Sequence, residues 1–443
     1  MKIQLSDHFT YKRLLRFTLP SIVMMVFTST YSIVDGFFVS NYVGKTPFAA
    51  VNFIFPFIGL LGAVGFMFGT GGSALVAKTL GEGDRKKANE LFSLFLYVTF
   101  GTGVVIAIIG IAAMRPVAIL MGAEGELLEN CVLYGRILAA VQPAFMLQMA
   151  FQSFMITAER PNLGLAVTVG SGVTNMVLDF LLVGVLRGGL VGAAVATSAS
   201  QVVGGLFPVF YFLRPNSSLL RLGRTRWNGK ALLKGCTNGF SELLGNISMS
   251  LVSALYNAQL IRYAGENGVA AYGVLMYVSF VFVAVFIGYS VGTAPVIGFH
   301  FGAQNHNELK SLLKKSAVII GTTSVAMLVL GQVLARPLSL IFVGYDNALM
   351  ALTLRGFFIF AFSFLFSGGC IFGSSFFTAL NDGLTSAAIS FLRTVVFQIA
   401  SVLLLPLVWG IDGIWASLVV AEAAAFLIAL ACILLKRKKY QYL

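Results

Sequence analysis

The chain has 443 residues, of which 58% are apolar and only 11% charged, and its mean hydropathy is +0.89. A soluble domain carries roughly 25% charged residues, so the composition excludes a soluble protein and leaves no room for a soluble domain of any size. The net charge of +13 would suggest a nucleic-acid partner in a soluble chain; in one this apolar it follows from orientation in a lipid bilayer, and no nucleic acid is expected.

A spanning helix needs about 20 mostly apolar residues. Six such runs occupy the first half, at 14–39, 47–77, 91–113, 130–156, 163–186 and 190–213. Six more occupy the second, at 233–261, 269–297, 312–335, 351–377, 386–408 and 411–435. The expected fold is an all-α polytopic membrane protein of twelve transmembrane helices. Runs near thirty residues imply tilt, kinks or protruding ends. A β-barrel would instead alternate polar and apolar residues over about ten positions. The first run is too long for a signal peptide and pairs with 233–261, so it reads as retained.

The two halves repeat at an offset of 221 residues without a gap. Arg115-Pro116 falls on Arg336-Pro337, Thr157-Ala158 on Thr378-Ala379, and Gly44, Gly81 and Gly189 on Gly265, Gly302 and Gly410. Many matched positions are Gly or Pro, which constrain the backbone, so the repeat preserves a fold more than a chemistry. The boundaries read as a six-helix lobe over 1–213, a basic linker over 214–232, and a second six-helix lobe over 233–443. An even span count gives both lobes the same orientation, related by an axis along the membrane normal with the substrate path between them.

Lys and Arg set that orientation. Of the 30, 22 fall on the termini, the linker and the even-to-odd loops. Lys45, Arg115, Arg187, Arg262 and Arg336 fall on the opposite side, and Arg136, Arg355 and Arg393 within spans. Both termini are therefore expected to be cytosolic. Trp227 in the linker is expected at the membrane interface. Cys131, Cys236, Cys370 and Cys432 have no metal or redox spacing, and the three His form no zinc motif. No cofactor is expected.

A charge at the bilayer centre costs about 2.5–3.5 kcal/mol on insertion scales, which makes intramembrane ionisable residues functional candidates. At about 1.5 Å per residue, Asp35, Asp179 and Thr197 reach one depth from three different spans, and Asn175 lies one turn from Asp179 on the same face. Two carboxylates, an amide and a hydroxyl supply oxygen ligands for a small cation, or a carboxylate pair sharing a proton. Simple interfacial placement, or capping by backbone, is the alternative. The second-half counterparts are Tyr256, Val396, Ala400 and Leu418, so this polar set exists in one lobe only. The second lobe carries its own set, Glu242, Arg393 and Glu422. Arg393 either snorkels or pairs with one of the acids, and Glu242 is a candidate to attract cationic substrate. Pro20 removes a helix hydrogen bond in the first span and permits a bend that would move Asp35.

The first-span segment LPSIVMMVFTSTYSIVDGFFVS, with Pro20 and Asp35, the fifth-span segment SGVTNMVLDFLLV, with Asn175 and Asp179, and Thr197 on the sixth resemble the multidrug and toxic compound extrusion (MATE) family over essentially the whole chain. The resemblance implies a secondary active exporter, and a monomer is the expected working unit. Na⁺ or H⁺ would bind at Asp35, Asn175, Asp179 and Thr197 as organic, mostly cationic amphipathic compounds leave by alternating access. Paired second-lobe acids found in another branch of the family are not reproduced in register. A lipid-linked saccharide flippase, or an exporter of a specific metabolite, in the same superfamily is the alternative. The flippase would favour basic cavity residues, whereas the first lobe is rich in carboxylates. A major facilitator transporter is a more distant rival. No nucleophile–base set or metal motif suggests an enzyme, and no filter suggests a channel.

Overall fold

The computed structural model describes residues 3–442, apart from the side chains of residues 32–34, 36, 37 and 250. The described chain is helical almost throughout, with no strand among the described residues. In order it forms α1 (Tyr11–Tyr42), α2 (Lys45–Gly81), α3 (Arg85–Leu120), α4 (Gly125–Ala140), α5 (Gln142–Thr157), α6 (Pro161–Leu178) continued by a π-helical turn (Asp179–Val185), and α7 (Gly189–Leu213). The second half forms α8 (Gly229–Gly302), α9 (His306–Val343), α10 (Asn347–Phe360), α11 (Phe364–Ala379), α12 (Gly383–Phe391) with a π-helical turn (Leu392–Phe397), α13 (Gln398–Trp409) and α14 (Ile411–Tyr440).

Helix α8 has 74 residues, about 110 Å at 1.5 Å per residue, more than twice the thickness of a bilayer. It reverses at Gly265, where φ is +62°. Both of its ends pack near the same end of α2: a Cβ at Gly71 would lie 1.9 Å from the Gly235 carbonyl oxygen, and one at Gly81 1.9 Å from that of Phe299. Its two arms are therefore separate crossings. With α4–α5, α10–α11 and α12–α13 each counted once, the described residues form twelve helical segments long and apolar enough to cross a bilayer. Gly265 is the repeat partner of Gly44 (φ +120°), and Gly410 (φ +57°) that of Gly189 (φ +57°). These reversals need the left-handed region that glycine enters without a side-chain clash, which is why glycine persists at both copies.

Among the described residues, one expected run is broken by a sharp bend. The fourth crossing bends by 60° between α4 and α5, at Val141. Pro143 has no N–H, and its ring disfavours helical geometry at the preceding residue, so the helix ends and restarts there. Pro20 has a milder effect: α1 runs through it as one helix.

Both described chain ends and the linker lie on one side of the bundle, the terminal face; the reversals at Gly44, Gly189, Gly265 and Gly410 lie on the other, the far face. At the terminal face the linker is stitched to one side of α3. Arg85 donates to the carbonyls of Ser218 and Leu219 at 3.1 and 3.2 Å, and Asn89 Oδ1 accepts from Arg221 N at 2.8 Å. Ser93 Oγ accepts from Gly223 N at 3.0 Å, and Tyr97 Oη donates to the Gly223 carbonyl at 3.0 Å. Residues 85, 89, 93 and 97 recur every four positions and so share one helix face. Trp227, just beyond, is 78% exposed.

The halves meet in the part of the bundle nearer the terminal face. Gly81 and Gly302 let α2 and the second arm of α8 approach to backbone contact, and Gly288 and Gly292 do the same for α8 against α1 at Thr18, Ser21 and Ile22. Pro20 lies in that seam. Asn381 Nδ2, between α11 and α12, donates to the Ala74 carbonyl of α2 at 3.2 Å.

Beside the seam, Asp382 accepts from Lys436 Nζ at 2.7 Å and Tyr440 Oη at 2.8 Å. Burial pushes its carboxyl up, but the hydrogen bonds from Lys436, Tyr440 and Thr385 and the Lys436 charge outweigh it and hold it at about 2. A folded-state value below the unfolded value of about 3.9 stabilises the fold above pH ~4, and that contribution is lost as the pH falls towards 2. Asp382→Asn is therefore expected to lower the unfolding temperature at neutral pH, with the gap to wild type closing between pH 4 and 2 in a thermal-unfolding series.

Candidate functional site

Asp35 lies on α1 nine positions before the Gly44 reversal, and Thr197 on α7 eight positions after Gly189, so both enter the bundle from the far face to a similar depth. Thr197 Oγ1 donates to Asp35 Oδ1 at 3.5 Å. Asn175 Nδ2 of α6 donates to Thr197 Oγ1 at 3.5 Å. Asp179 follows Asn175 by one turn and opens the π-helical turn Asp179–Val185. That turn replaces i→i−4 bonding with a wider loop, a local deformation found often at functional sites. The carboxyl of Asp35 lies within interaction range of Asp179, Asn175 and Thr197. All four residues singled out in the sequence therefore converge, from three crossings.

Their burial is uneven. Asp179 is fully buried and Asn175 is 1% exposed, whereas Asp35 and Thr197 are half-buried. Both carboxylate oxygens of Asp179 and Oδ1 of Asn175 are buried with no hydrogen-bond donor among the described residues. A buried carboxylate without a donor is costly unless a proton or cation neutralises it. The free oxygens of Asp179 and Asn175 and the half-exposed Asp35 form an acceptor-rich pocket suited to either.

Sequence reasoning missed Tyr134 of α4. It is 2% exposed, and its hydroxyl lies near Thr197 within the field of both carboxylates. The signal was a single intramembrane tyrosine at similar depth on the fourth span, with no spacing to tie it to the other three helices. Gly172, one turn before Asn175, permits the approach of α1: a Cβ there would lie 2.5 Å from the Phe27 ring.

The second lobe is built differently at the matching places. Arg393, the counterpart of Gly172, sits in the π-helical turn Leu392–Phe397. Its Nε donates to both oxygens of Glu422 at 2.9 and 3.0 Å, and its Nη2 lies 2.9 Å from Glu422 Oε1. Of the two fates the sequence left open for Arg393, pairing is the one adopted. Glu422 is 2% exposed. Glu242, half-buried on α8, feels the Arg393 charge but forms no ion pair with it. The two acids are therefore unequal: Glu422 is neutralised, and Glu242 is not directly paired. Arg355, another charge within a predicted span, pairs with Asp412.

The MatE family model matches residues 20–181 and again 243–404, once in each half. The multidrug export protein MepA of Staphylococcus saprophyticus is 25% identical over 435 residues, covering 97% of this chain and 94% of MepA. An outward-facing multidrug resistance MATE family transporter of the MOP superfamily superposes with a TM-score of 0.92 at 22% identity, covering 98% of each chain. A MOP superfamily transporter from Pyrococcus furiosus, whose reversed pocket polarity suggests a different function, superposes with a TM-score of 0.90 at 22% identity over 98% of this chain and 97% of its own.

Proposed function

Since this chain belongs to the MatE family, whose members are transporters and not enzymes, we propose that it is a multidrug efflux antiporter that expels organic, mostly cationic amphipathic compounds in exchange for inward-moving H⁺ or Na⁺. The resemblance to multidrug export proteins along nearly the full chain supports the cargo class. One observation supports the coupling: the fully buried, donor-free Asp179 beside Asp35, Asn175 and Thr197. Such a group holds a proton or a small cation and releases it when the site opens to the other side. The terminal face is cytosolic, by the excess of Lys and Arg there. The lobes are 1–213 and 233–443, joined by the linker 214–232, and a monomer suffices because the path lies between them.

An inward ion gradient is physically needed. A negative-inside potential opposes cation export by about 2.3 kcal/mol per charge per 100 mV, and exchange of the two cargoes at one alternating pocket supplies the opposing force. The same fold carries pockets of opposite polarity, so cargo must be tested directly. In inside-out vesicles a fluorescent organic cation is expected to accumulate when a Na⁺ or pH gradient is imposed, and the effective gradient names the ion. Accumulation with neither gradient, or movement of a lipid-linked saccharide instead, would overturn the antiport reading.

A further inference from the structure

Residues 3–10 precede α1 and lie across the seam at the terminal face. Leu5 and Phe9 are both fully buried. Leu5 N donates at 2.7 Å to Glu159 Oε1. Glu159 is itself buried, in the left-handed turn between α5 and α6 (φ +57°), so this end of the segment is held by the first lobe. A turn follows, with Asp7 N donating to the Gln4 carbonyl at 3.2 Å and Gln4 N to Asp7 Oδ2 at 3.1 Å. The segment then meets the second lobe. Phe9 N donates to Glu308 Oε1 at 2.9 Å, and His8 Nδ1 lies 2.6 Å from Glu308 Oε2. Lys315 Nζ donates to the Phe9 carbonyl, and the Phe9 ring packs edge-on against His300 at 6.4 Å between centroids.

Glu308 and Lys315 stand on α9, and His300 near the end of α8, so these contacts cross between lobes. The segment itself is covalently continuous with α1 in the first lobe. The two glutamates therefore differ in role: Glu159 holds the segment in place within its own lobe, and Glu308 clasps it from the other. Glu308 is 6% exposed. Without the Phe9 amide and His8 it would keep a buried carboxylate short of donors, a state the fold avoids.

We propose that residues 3–10 form a latch that holds the terminal face closed, so that Glu308 and Lys315 set the balance between the two access states. Opening the terminal face, as the alternating-access reading of function requires, breaks the contacts to Glu308 and Lys315 and withdraws Phe9 from beside His300. The contact to Glu159 stays intact in both states. Closing restores the set, so the latch favours the state in which the Asp35–Asp179 pocket faces the far side.

The test places spin labels at Lys86→Cys of the first lobe and Lys310→Cys of the second, both exposed on the terminal face, in protein whose four native cysteines are replaced. Pulsed electron resonance then reads the distance distribution between lobes. Glu308→Gln keeps the side-chain volume and removes the charge-assisted bonds, and is expected to raise the ratio of long-distance to short-distance population about tenfold. Phe9→Ala is expected to shift it in the same direction, and Glu82→Gln, an exposed acid on the same face, to leave it unchanged. Unaltered distributions in both Glu308→Gln and Phe9→Ala, with or without a fall in unfolding temperature, would show the segment to be a static anchor and overturn the latch. The readout needs neither cargo nor an ion gradient. A wild-type protein that moved no organic cation would sink the proposed cargo and leave the distances to judge the latch.

Discussion

Asp35→Asn and Asp179→Asn are each expected to abolish gradient-driven efflux in vesicles while leaving the protein folded and membrane-inserted. The cause is the convergence of both side chains on one acceptor pocket. Asp179 is fully buried without a donor, so under the proposed antiport its charge would be compensated by the coupling ion, and an amide neither takes up a proton nor attracts Na⁺ as a carboxylate does. Losing one charged ligand removes about 3 kcal/mol, roughly a hundredfold in ion affinity. Thr197→Ala, which removes an uncharged ligand and its two long hydrogen bonds, to Asp35 and from Asn175, is expected to cost closer to 1 kcal/mol and to leave measurable efflux at raised ion concentration. The asymmetry separates a coupling site from a merely structural cluster. A structural cluster would lose thermal stability in all three variants without this ranking in transport, and gradient-driven efflux surviving in both aspartate variants would remove the pocket from the mechanism.

The largest effect on stability is expected from Arg393→Met. It leaves Glu422, 2% exposed, as a buried carboxylate without its guanidinium, and breaking a buried pair from one side costs about 3–5 kcal/mol. Glu422→Gln is expected to cost less, because Arg393 is 20% exposed and keeps the Glu242 charge nearby. The double variant Arg393→Met/Glu422→Gln is expected to recover most of the loss, since neither charge is then left alone. Thermal unfolding of the three purified proteins gives the cycle. A double variant as unstable as the sum of the singles would mean that the two side chains act independently of their ion pair.

Sequence and structure agree where a residue type leaves the backbone little choice. The reversals at Gly44 and Gly265, and at Gly189 and Gly410, were legible from the repeat because positive φ there favours glycine in both copies. Asn175 and Asp179 were legible as a unit because helical spacing alone puts them on one face, and their meeting with Asp35 and Thr197 followed from depth. What could not be read depends on contacts between helices distant in sequence. Tyr134 joins the pocket from α4, and Arg393 chooses Glu422 over Glu242, through rotations about helix axes that a span list does not fix. The π-helical turns at Asp179 and Arg393 likewise change which way a side chain projects without leaving a Gly or Pro as a marker. Val141 is an intermediate case: Pro143 stood in the sequence, yet only the 60° bend reveals that the apolar run is two helices.

The stitching of the linker to α3 bears on the order in which the molecule is made. Residues 85, 89, 93 and 97 are synthesised well before the stretch 218–223 that they bind, and none of these partners comes from the second lobe. As the chain leaves the ribosome, the first lobe thus has every group needed to dock its own outgoing strand before α8 exists. A stretch docked in that order would lie along the terminal face, and the second lobe would begin insertion from a fixed point beside the first. A duplicated transporter needs such a launching point only once, and only the earlier copy carries it: the repeat counterparts of Arg85, Asn89, Ser93 and Tyr97 are His306, Lys310, Lys314 and Val318.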